Sequence, residues 1–207
     1  MFSNLCHMTV STGRVRMSPE SRREQLLELG TRLLATRTLD EISIELLAEE
    51  AGISRGLLYH YFHSLQEFHV AVVRRAVEDL YAITAPRDVG DPLEQLAVSL
   101  GAYVDYVSEN YTGYVSLIRA AAGGNEELRA IYQDARRALT GRIFEIAGPE
   151  HLEALGVVDS DATRLLVDGW AAMVENVTVA WVEDPHGLTR EELLKRLALA
   201  LPAVVIA

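Results

Sequence analysis

Residues 54–62 combine a guanidinium, an imidazole and two phenols on one short segment of the chain. Arg55 offers a fork of donors that suits a guanine edge or a phosphate, and Leu57 can contact a thymine methyl group. The hydroxyls of Tyr59 and Tyr61 can donate to phosphate oxygens. Side chains of these types on one exposed surface are typical of contact with double-stranded DNA. The candidate contacts are Ser43, Ser54, Arg55, Gly56, Leu57, Tyr59, His60 and Tyr61.

Two short helices joined by a tight turn are expected to position these side chains. Ser43 can cap the first helix with its side-chain oxygen, and Gly52 can adopt the left-handed conformation that ends it. Ile53 then fills the inside of the turn, and Ser54 caps the second helix. Leu58 faces the core, so the remaining side chains of the second helix point outward. This pattern predicts a helix-turn-helix whose second helix enters the major groove.

The segment resembles the N-terminal DNA-binding domain of the tetracycline-repressor (TetR) family of bacterial transcription regulators. The residues that carry the resemblance are Leu47, Ala48, Ala51, Gly52, Ile53, Ser54, Leu58, Tyr59, Tyr61 and Phe62. The resemblance extends over residues 18–82. It implies an all-α protein of about nine helices, in which a three-helix DNA-binding domain precedes a helical ligand-binding and dimerisation domain. It also implies a homodimer on a palindromic operator, most often a repressor, that responds to a hydrophobic small molecule.

Three positions depart from the family's usual pattern. Leu57 stands where Thr is common, and His63 stands where Pro is common. Leu65 takes the place of a Lys that usually contacts a phosphate. Because this last change removes one contact to the DNA backbone, we expect it to lower the affinity for DNA and to leave the fold unchanged.

The net charge of −11 falls mainly on the second part of the chain. Residues 1–80 contain nine Arg and eleven Asp or Glu, whereas residues 81–207 carry a net charge of −9. Local charge governs binding to phosphates, and the absence of a basic excess predicts modest non-specific affinity. The arginines that could form a positive surface near the second helix are Arg14, Arg16, Arg22, Arg23, Arg37 and Arg55.

The chain divides into three parts: a disordered N-terminal arm at residues 1–17, the DNA-binding domain at residues 18–82, and the helical second domain at residues 83–207. The turn-rich residues 86–92 mark the second boundary. The predicted helix caps are Ser18, Ser43, Ser54, Ser64, Asp91, Asn125 and Thr189. Glu67 and Glu192 are expected to complete capping boxes, helix 7 should end before Gly148, and helix 9 should end at Pro202.

The composition is typical of a soluble bacterial regulator. The 207 residues, 49% of them hydrophobic, can form two helical cores, and no apolar run is long enough to span a membrane. The single Cys6 excludes an internal disulfide framework, and no signal peptide is visible. We therefore expect a cytoplasmic protein with no membrane partner.

A ligand pocket is expected in the second domain, where aromatic and apolar residues occur with a few polar groups. Its candidate residues are Tyr103, Tyr106, Tyr114, Ile118, Arg119, Tyr132, Phe144, Trp170, Met173 and Asn176. Arg119 could pair with an acidic group of the ligand. Each aromatic residue, taken alone, is better explained by ordinary core packing, whereas for the region as a whole the resemblance implies a pocket.

A homodimer interface is expected on helices 8 and 9. Helix 8 is apolar over most of its circumference, and Ala172 would allow a second helix to approach closely. The candidate interface residues are Leu166, Trp170, Ala172, Val177, Trp181, Leu194, Leu197 and Leu201. An ordinary monomeric core is the alternative interpretation.

Two other functions remain open at this point. The first is a helical small-molecule-binding module with weak or no DNA binding. Leu65 in place of Lys and the net negative charge of the chain favour this alternative. The second is an all-helical enzyme, although the sequence contains no HExxH, GxSxG or CxxC motif and no phosphate-binding glycine loop. His60, His63 and His69 lack a Cys or acidic residue that would complete a metal site, so we expect no metal and no cofactor.

Overall fold

The computed structural model describes residues 18–87 and 90–206. Within these residues the chain forms nine α-helices and no strand, which confirms the expected all-α fold. A short 3₁₀ turn at Leu39–Glu41 precedes the second helix. The helices are α1 Pro19–Thr36, α2 Ile44–Ala51, α3 Arg55–Tyr61, α4 Leu65–Ile83, α5 Pro92–Glu109, α6 Tyr111–Ala122, α7 Glu126–Ala154, α8 Asp161–Glu183 and α9 Arg190–Val205. The proposed N-terminal arm, with Cys6, Arg14 and Arg16, lies outside the described residues.

Serine caps begin each of the first four helices, as predicted. The hydroxyls of Ser18, Ser43, Ser54 and Ser64 each accept a backbone N–H three residues later, at 3.0–3.2 Å. These bonds satisfy donors that the first turn of a helix leaves free. Gly52 ends α2 with φ 62°, in the left-handed region where a residue without Cβ is unstrained.

Three predicted helix features differ in the structure. The carboxylate of Glu67 accepts from the backbone N–H of His63 at 2.8 Å, one residue before the cap, so α4 has no closed capping box. Gly148 breaks α7 at φ 67°, as expected, but a further short helical segment continues to Ala154. Pro202 lies inside α9 and does not end it. A proline this close to a helix end removes only one hydrogen bond, and the buried Leu201 holds this turn on the core.

Two apolar clusters stabilise the molecule. The first cluster joins α1 to α4 and is centred on Leu47, Leu58, Phe62 and Phe68, which are fully buried. It also includes Leu117, Leu128 and Ile131 from α6 and α7. The second cluster joins α5, α7, α8 and α9. Because the first cluster extends past the proposed domain boundary, the N-terminal helices share a core with the second domain.

Helix α6 rests closely on the N-terminal helices. A Cβ atom at Gly113 would lie 2.0 Å from the backbone oxygen of Leu34 on α1, so only glycine permits this approach. Nearby, the backbone N–H of Leu39 donates to the Ser116 hydroxyl at 2.9 Å. From α5, the Tyr106 hydroxyl donates to the Ala76 carbonyl of α4 at 3.0 Å. These contacts connect the N-terminal helices mechanically to α5 and α6.

Helix α8 combines considerable length with an apolar composition. By length and composition alone, an 18-residue stretch within Asp161–Glu183 is apolar enough to cross a membrane, with a mean hydropathy of 1.2 over that stretch. Asp168 and Glu175 interrupt the apolar sequence of the helix, so it is not an uninterrupted apolar run of the kind that the chain was found to lack. In the structure α8 packs against α7 and α9 through Val167, Trp170 and Val174, which belong to the second cluster.

Candidate DNA-reading helix, ligand cavity and dimer face

The exposed side of α3 carries most of the candidate DNA contacts. Arg55, Gly56, Leu57, Tyr59 and His60 are exposed on this short helix, and Ser54 is exposed at its start. The opposite side of the helix is anchored by Leu58, which is fully buried. The structure therefore brings the outward residues together on one rigid surface.

Two of the predicted contacts are less accessible than the others. Tyr61 is half-buried and packs against the first cluster, with its ring edge against His60 at a centroid distance of 5.3 Å. Ser43 is also half-buried, because its hydroxyl caps α2. Leu65, at the position where the family usually has Lys, packs against the first cluster. This packing gives the substituted residue a structural role.

Arg55 forms an ion pair with a residue of the preceding helix. A guanidinium nitrogen of Arg55 lies 3.0 Å from a carboxylate oxygen of Glu45, and both side chains are more than half exposed. Exposed pairs of this kind contribute about 0–1 kcal/mol, so DNA can compete for the arginine at little cost. Glu45 nevertheless places a negative charge beside the exposed surface of α3.

His69 is a core residue of α4. It is buried, and its Nε2 lies 2.8 Å from the carbonyl oxygen of Ile42, a distance at which the ring nitrogen donates to that oxygen. His63 instead lies on the surface, with Nδ1 3.0 Å from Glu67. In the part of the chain that the structure describes, no three His, Cys, Asp or Glu side chains gather in a metal-binding arrangement.

A cavity of about 140 Å³ lies among α4, α5, α6, α7 and α8. Of the predicted pocket residues, Tyr103, Tyr114, Tyr132 and Trp170 line it. Most of the remaining wall is apolar and comes from residues that were not predicted to belong to the pocket. Examples are Leu80, Leu96, Leu100, Leu139, Ile143 and Ile146. Such a mixture suits a ligand of mainly apolar character.

The polar side of this cavity is built around Glu175. Its carboxylate accepts from the hydroxyls of Tyr114 at 3.0 Å and Tyr132 at 2.6 Å. The hydroxyls of Tyr103 and Tyr114 lie 2.8 Å apart, which extends the network by one member. Arg136 donates to the Tyr132 hydroxyl at 3.3 Å and to the Asp168 carbonyl at 3.2 Å. The result is one carboxylate held by tyrosines at one side of an apolar cavity.

Four other predicted pocket residues lie away from the wall of this cavity, and two more line only neighbouring cavities. Arg119, Met173 and Asn176 are exposed, and Ile118 is half-buried elsewhere on α6. Tyr106 lines a smaller cavity next to α1, and Phe144 lines a separate apolar cavity near the end of α9. Helical phase explains these positions: Met173 and Asn176 share the outer side of α8, whereas Trp170 points inward.

Sequence reasoning missed Glu175, Arg136 and Ser99, which all line the cavity. One available signal was the pair Asp168 and Glu175, two carboxylates at i, i+7 spacing within the apolar middle of α8. Acidic residues in such a setting are rarely placed there for packing alone. Ser99 gave no comparable signal, since a single serine on a helix is common.

Burial raises the pKa of the cavity tyrosines. Burial is the main cause of an increase in the pKa of Tyr132 to about 12, and the hydrogen bond to Glu175 acts in the same direction. The pKa values of Tyr103 and Tyr114 also rise, mainly through burial, and the negative charge of Glu175 contributes in both cases. Each of these hydroxyls therefore remains neutral well above pH 10, the ordinary pKa of tyrosine.

This predicts a delayed alkaline titration of the folded protein. The pKa of Tyr132 is higher in the folded protein than in the unfolded chain, so its neutral hydroxyl stabilises the fold fully below about pH 10. This contribution is lost as the pH rises toward 12. Absorbance at 295 nm should report fewer ionised tyrosines in native protein at pH 11 than in urea. Tyr132→Phe should lower by one the number of tyrosines that ionise late in the native protein. Equal native and unfolded titrations would contradict the buried hydroxyl network.

One side of α8 is apolar and exposed. We define the α8 outer face by its exposed residues Leu165, Leu166, Gly169, Ala172, Met173 and Asn176. Leu165 is 72% exposed and Leu166 is 44% exposed, which is unusual for leucine. On α9, Leu199 is also exposed, at 52%. Two of the predicted interface residues, Leu166 and Ala172, lie on this face.

The other predicted interface residues belong wholly or partly to the core of the subunit. Trp170, Leu197 and Leu201 are buried, and the Trp170 indole donates to the Leu197 carbonyl at 3.0 Å. Their side chains face the core of the subunit, so the proposed contact with a partner would come mainly from the other predicted residues. Val177, Trp181 and Leu194 are half-buried and pack against the second cluster.

The structure combines a capped helix-turn-helix, whose second helix is exposed, with a helical domain that contains a cavity. This combination defines a class of DNA-binding regulators. The chain belongs to the TetR family of that class. Residues 26–72 match the family described as bacterial regulatory proteins, tetR family. Residues 92–201 match the tetracyclin repressor-like C-terminal domain. Members of the family bind DNA and act as dimers.

Known proteins of similar sequence or structure are transcription regulators. A tetR-family regulator from Streptomyces coelicolor has 31% identity and a TM-score of 0.77, covering 91% of this chain and 82% of that one. The transcriptional activator FasR of Mycolicibacterium smegmatis is 21% identical over 182 residues, 87% of this chain and 81% of FasR. A regulator from Saccharomonospora viridis, solved in complex with choline, has a TM-score of 0.71 and 19% identity over 91% of this chain and 99% of that one. The protein is accordingly a TetR-family transcriptional regulator.

Proposed function

We propose that this protein is a cytoplasmic one-component repressor, which binds a palindromic operator as a homodimer and leaves it when a small molecule occupies the cavity. The observation that carries the proposal is the exposed surface of α3, held rigidly from behind by Leu58 and presenting Arg55 and Tyr59 outward. A short helix anchored in this way fits the major groove, where bases present distinct donor and acceptor patterns.

The homodimer is proposed to form through the α8 outer face. Exposed leucines on one side of a helix are unfavourable in water, and a second copy of the same face would cover them. Gly169 and Ala172 are small enough to let two α8 helices approach closely. A two-fold dimer places its two reading helices in equivalent half-sites, which is why we expect a palindromic operator.

The ligand is proposed to act through α6. Tyr114 of α6 lines the cavity. Gly113 and Ser116 of the same helix contact Leu34 and Leu39, which lie beside the helix-turn-helix of α2 and α3. A ligand that displaces α6 would therefore move the N-terminal helices. Release from DNA further requires that the ligand bind the DNA-free conformation more tightly than the DNA-bound one. The choline complex of the Saccharomonospora viridis regulator supports a small organic effector.

Selection from a pool of randomised double-stranded DNA tests this function directly. The purified protein should enrich an inverted repeat whose half-sites lie about one helical turn apart, or slightly more. Enrichment of a single, asymmetric site would contradict the dimeric arrangement. Failure to enrich any sequence would contradict operator binding.

Arg55→Ala tests the assignment of Arg55 to a base contact. The loss of a bidentate contact should weaken operator binding by about 1–3 kcal/mol and relax sequence preference at one position of each half-site. Electrophoretic mobility shifts with operator variants measure both effects. Arg137→Ala is the matched control, because Arg137 is an exposed arginine in an ion pair on α7. Unchanged affinity for every variant would contradict the role of Arg55.

A helical binding module without operator function is the second candidate. Two observations favour it: Leu65 replaces the usual phosphate-contacting Lys, and Glu45 holds Arg55 in an ion pair at 3.0 Å. If the selection enriches no sequence while the cavity still binds a ligand, this candidate replaces the first.

A further inference from the structure

Glu175 is a carboxylate without a cationic partner on the wall of an apolar cavity. Its oxygens accept from two tyrosine hydroxyls, and no arginine, lysine or histidine of residues 18–87 and 90–206 lies within ion-pair distance of it. A carboxylate beside apolar walls attracts positive charge more strongly than one in open water, because screening by water is weaker there. The polar side of the cavity therefore carries a charge that a ligand can neutralise.

The aromatic residues around Glu175 reinforce this preference. Tyr103, Tyr114, Tyr132 and Trp170 all line the same cavity. The rings of Tyr103 and Tyr114 stand nearly perpendicular, at 78°, with centroids 6.2 Å apart, so they present differently oriented surfaces. Faces of tyrosine and tryptophan attract organic cations, and the effect is larger where water is excluded.

The two arginines that line the cavity are already engaged. Arg136 donates to the Tyr132 hydroxyl and to the Asp168 carbonyl, and Oδ1 of Asp168 is itself buried without a hydrogen-bond partner in the described structure. Arg142 donates to the Tyr81 carbonyl at 2.6 Å and lies over the Tyr81 ring. Each guanidinium group directs some of its five donors toward neutral protein oxygens, whereas Glu175 is the one carboxylate among the described residues that line this cavity.

A second cavity offers room for an apolar extension of the ligand. This cavity, of about 200 Å³, lies near the end of α9 and is lined mainly by aliphatic residues. It shares three wall residues with the first cavity, namely Leu96, Ile143 and Ile146. The two cavities are therefore neighbours, separated by flexible aliphatic side chains. An alkyl chain that begins beside Glu175 can extend between them.

We propose that the effector is an organic monocation with an aliphatic chain, whose ammonium group contacts Glu175 and the tyrosines while its chain extends toward Leu96, Ile143 and Ile146. This inference rests on the proposed function, because it names the chemical class of that function's effector. It also specifies which end of the cavity recognises charge and which end recognises length.

Isothermal titration calorimetry of the DNA-free protein tests the head group. Decyltrimethylammonium, decanol and decanoate share one chain length and differ in charge, and each is used below its micelle concentration. The wild-type protein should bind the cation at least about tenfold more tightly than the alcohol or the acid. Equal affinities for the three, or a preference for decanoate, would overturn the proposal.

Glu175→Gln is the decisive variant, because the amide oxygen still accepts from a tyrosine hydroxyl but carries no charge. This variant should lose about tenfold or more in affinity for decyltrimethylammonium while its affinity for decanol is preserved. Glu145→Gln, an exposed glutamate of α7, is the matched control and should leave both affinities unchanged. Undiminished binding of the cation to Glu175→Gln would overturn the role of Glu175. If the variant fails to fold, the head-group preference of the wild-type protein decides alone.

Chain length tests the second cavity. Affinity should rise several-fold with each added methylene from butyl- to decyltrimethylammonium, since each methylene leaves water. Ile146→Trp should reduce the gain for the longer chains while binding of the butyl compound stays unchanged. No dependence of affinity on chain length would overturn the proposed path of the chain. Because no DNA is present, failure of these titrations leaves the operator-binding function to be judged by the DNA selection alone.

Discussion

Replacing Ala172 by glutamate should convert the protein to a monomer and remove specific operator binding. Ala172 lies on the α8 outer face between exposed apolar residues, so a proposed second copy would bury the new carboxylate without a partner. Burying an unpaired charge costs several kcal/mol, which is comparable to the stability of many dimers. A monomer contacts only one half-site, so we expect affinity to fall toward the non-specific range, a loss of roughly 10³-fold or more.

Sedimentation velocity measures the oligomeric state of this variant, and fluorescence anisotropy measures its DNA binding. Ala138→Glu makes the same chemical change at an exposed alanine of α7 and should remain dimeric. Circular dichroism should report an unchanged helical content for both variants, because neither position is buried. A dimeric Ala172→Glu protein with normal DNA binding would rule out the α8 outer face as the interface.

Phe62→Ala should cause the largest loss of stability among substitutions in the DNA-binding helices. Phe62 is fully buried and meets Phe68 edge to face, with ring centroids 4.9 Å apart. Arg23 lies over the same ring at 4.9 Å from its centroid. Removing a buried phenyl group leaves a cavity and typically costs about 3–5 kcal/mol of the free energy of unfolding. Since this loss is a large fraction of the stability of a typical domain, α3 should lose its fixed position and the protein its affinity for DNA.

Urea denaturation followed by far-ultraviolet circular dichroism measures this loss. Tryptophan fluorescence reports on unfolding of the second domain, since Trp170 and Trp181 both lie on α8. Tyr59→Ala is the matched control: it removes an aromatic ring from the same motif, but Tyr59 is 50% exposed. This control should change the free energy of unfolding by no more than about 0.5 kcal/mol and still weaken DNA binding. Equal stability losses in the two variants would contradict the assigned division between core and surface.

The DNA-binding helices were largely predictable because their signals are local. The hydroxyls of Ser43, Ser54 and Ser64 bind backbone groups within three residues, so short-range sequence defines where each helix begins. Gly52 likewise ends α2 through its own backbone conformation. The 3₁₀ turn at Leu39–Glu41 was not predicted, although Thr38 and Glu41 form a local capping box; only its hydrogen bond to Ser116 depends on a residue distant in sequence.

The second domain was predictable as helical but less so in its details. On α8, Leu166 and Trp170 are both large and apolar, yet the first is exposed and the second is buried. Only the rotation of the helix against α7 and α9 decides between them, and composition carries no such information. Glu175 was overlooked for a related reason. Its role depends on tyrosines from α6 and α7 that only the fold brings together.

Pro202 illustrates the limit of a local rule. Proline usually ends a helix, yet α9 continues through it to Val205, because packing of Leu201 against the second cluster outweighs one lost hydrogen bond. The substitution at Leu65 was similarly visible in the sequence, but its packing against the first cluster could be seen only in the structure.

Salt-dependent DNA binding tests the central claim most directly. Fluorescence anisotropy would follow binding of DNA from immediately upstream of the protein's own gene and of a scrambled fragment of equal length and composition. The proposed function predicts tight binding to the upstream fragment at about 50 mM salt, weakened by a factor of roughly 10³ or more at 200 mM, because phosphate contacts release counterions. The scrambled fragment should bind far more weakly at both salt concentrations. Equal binding of the two fragments, or no binding of either at low salt, would contradict the assignment of this protein as an operator-binding repressor.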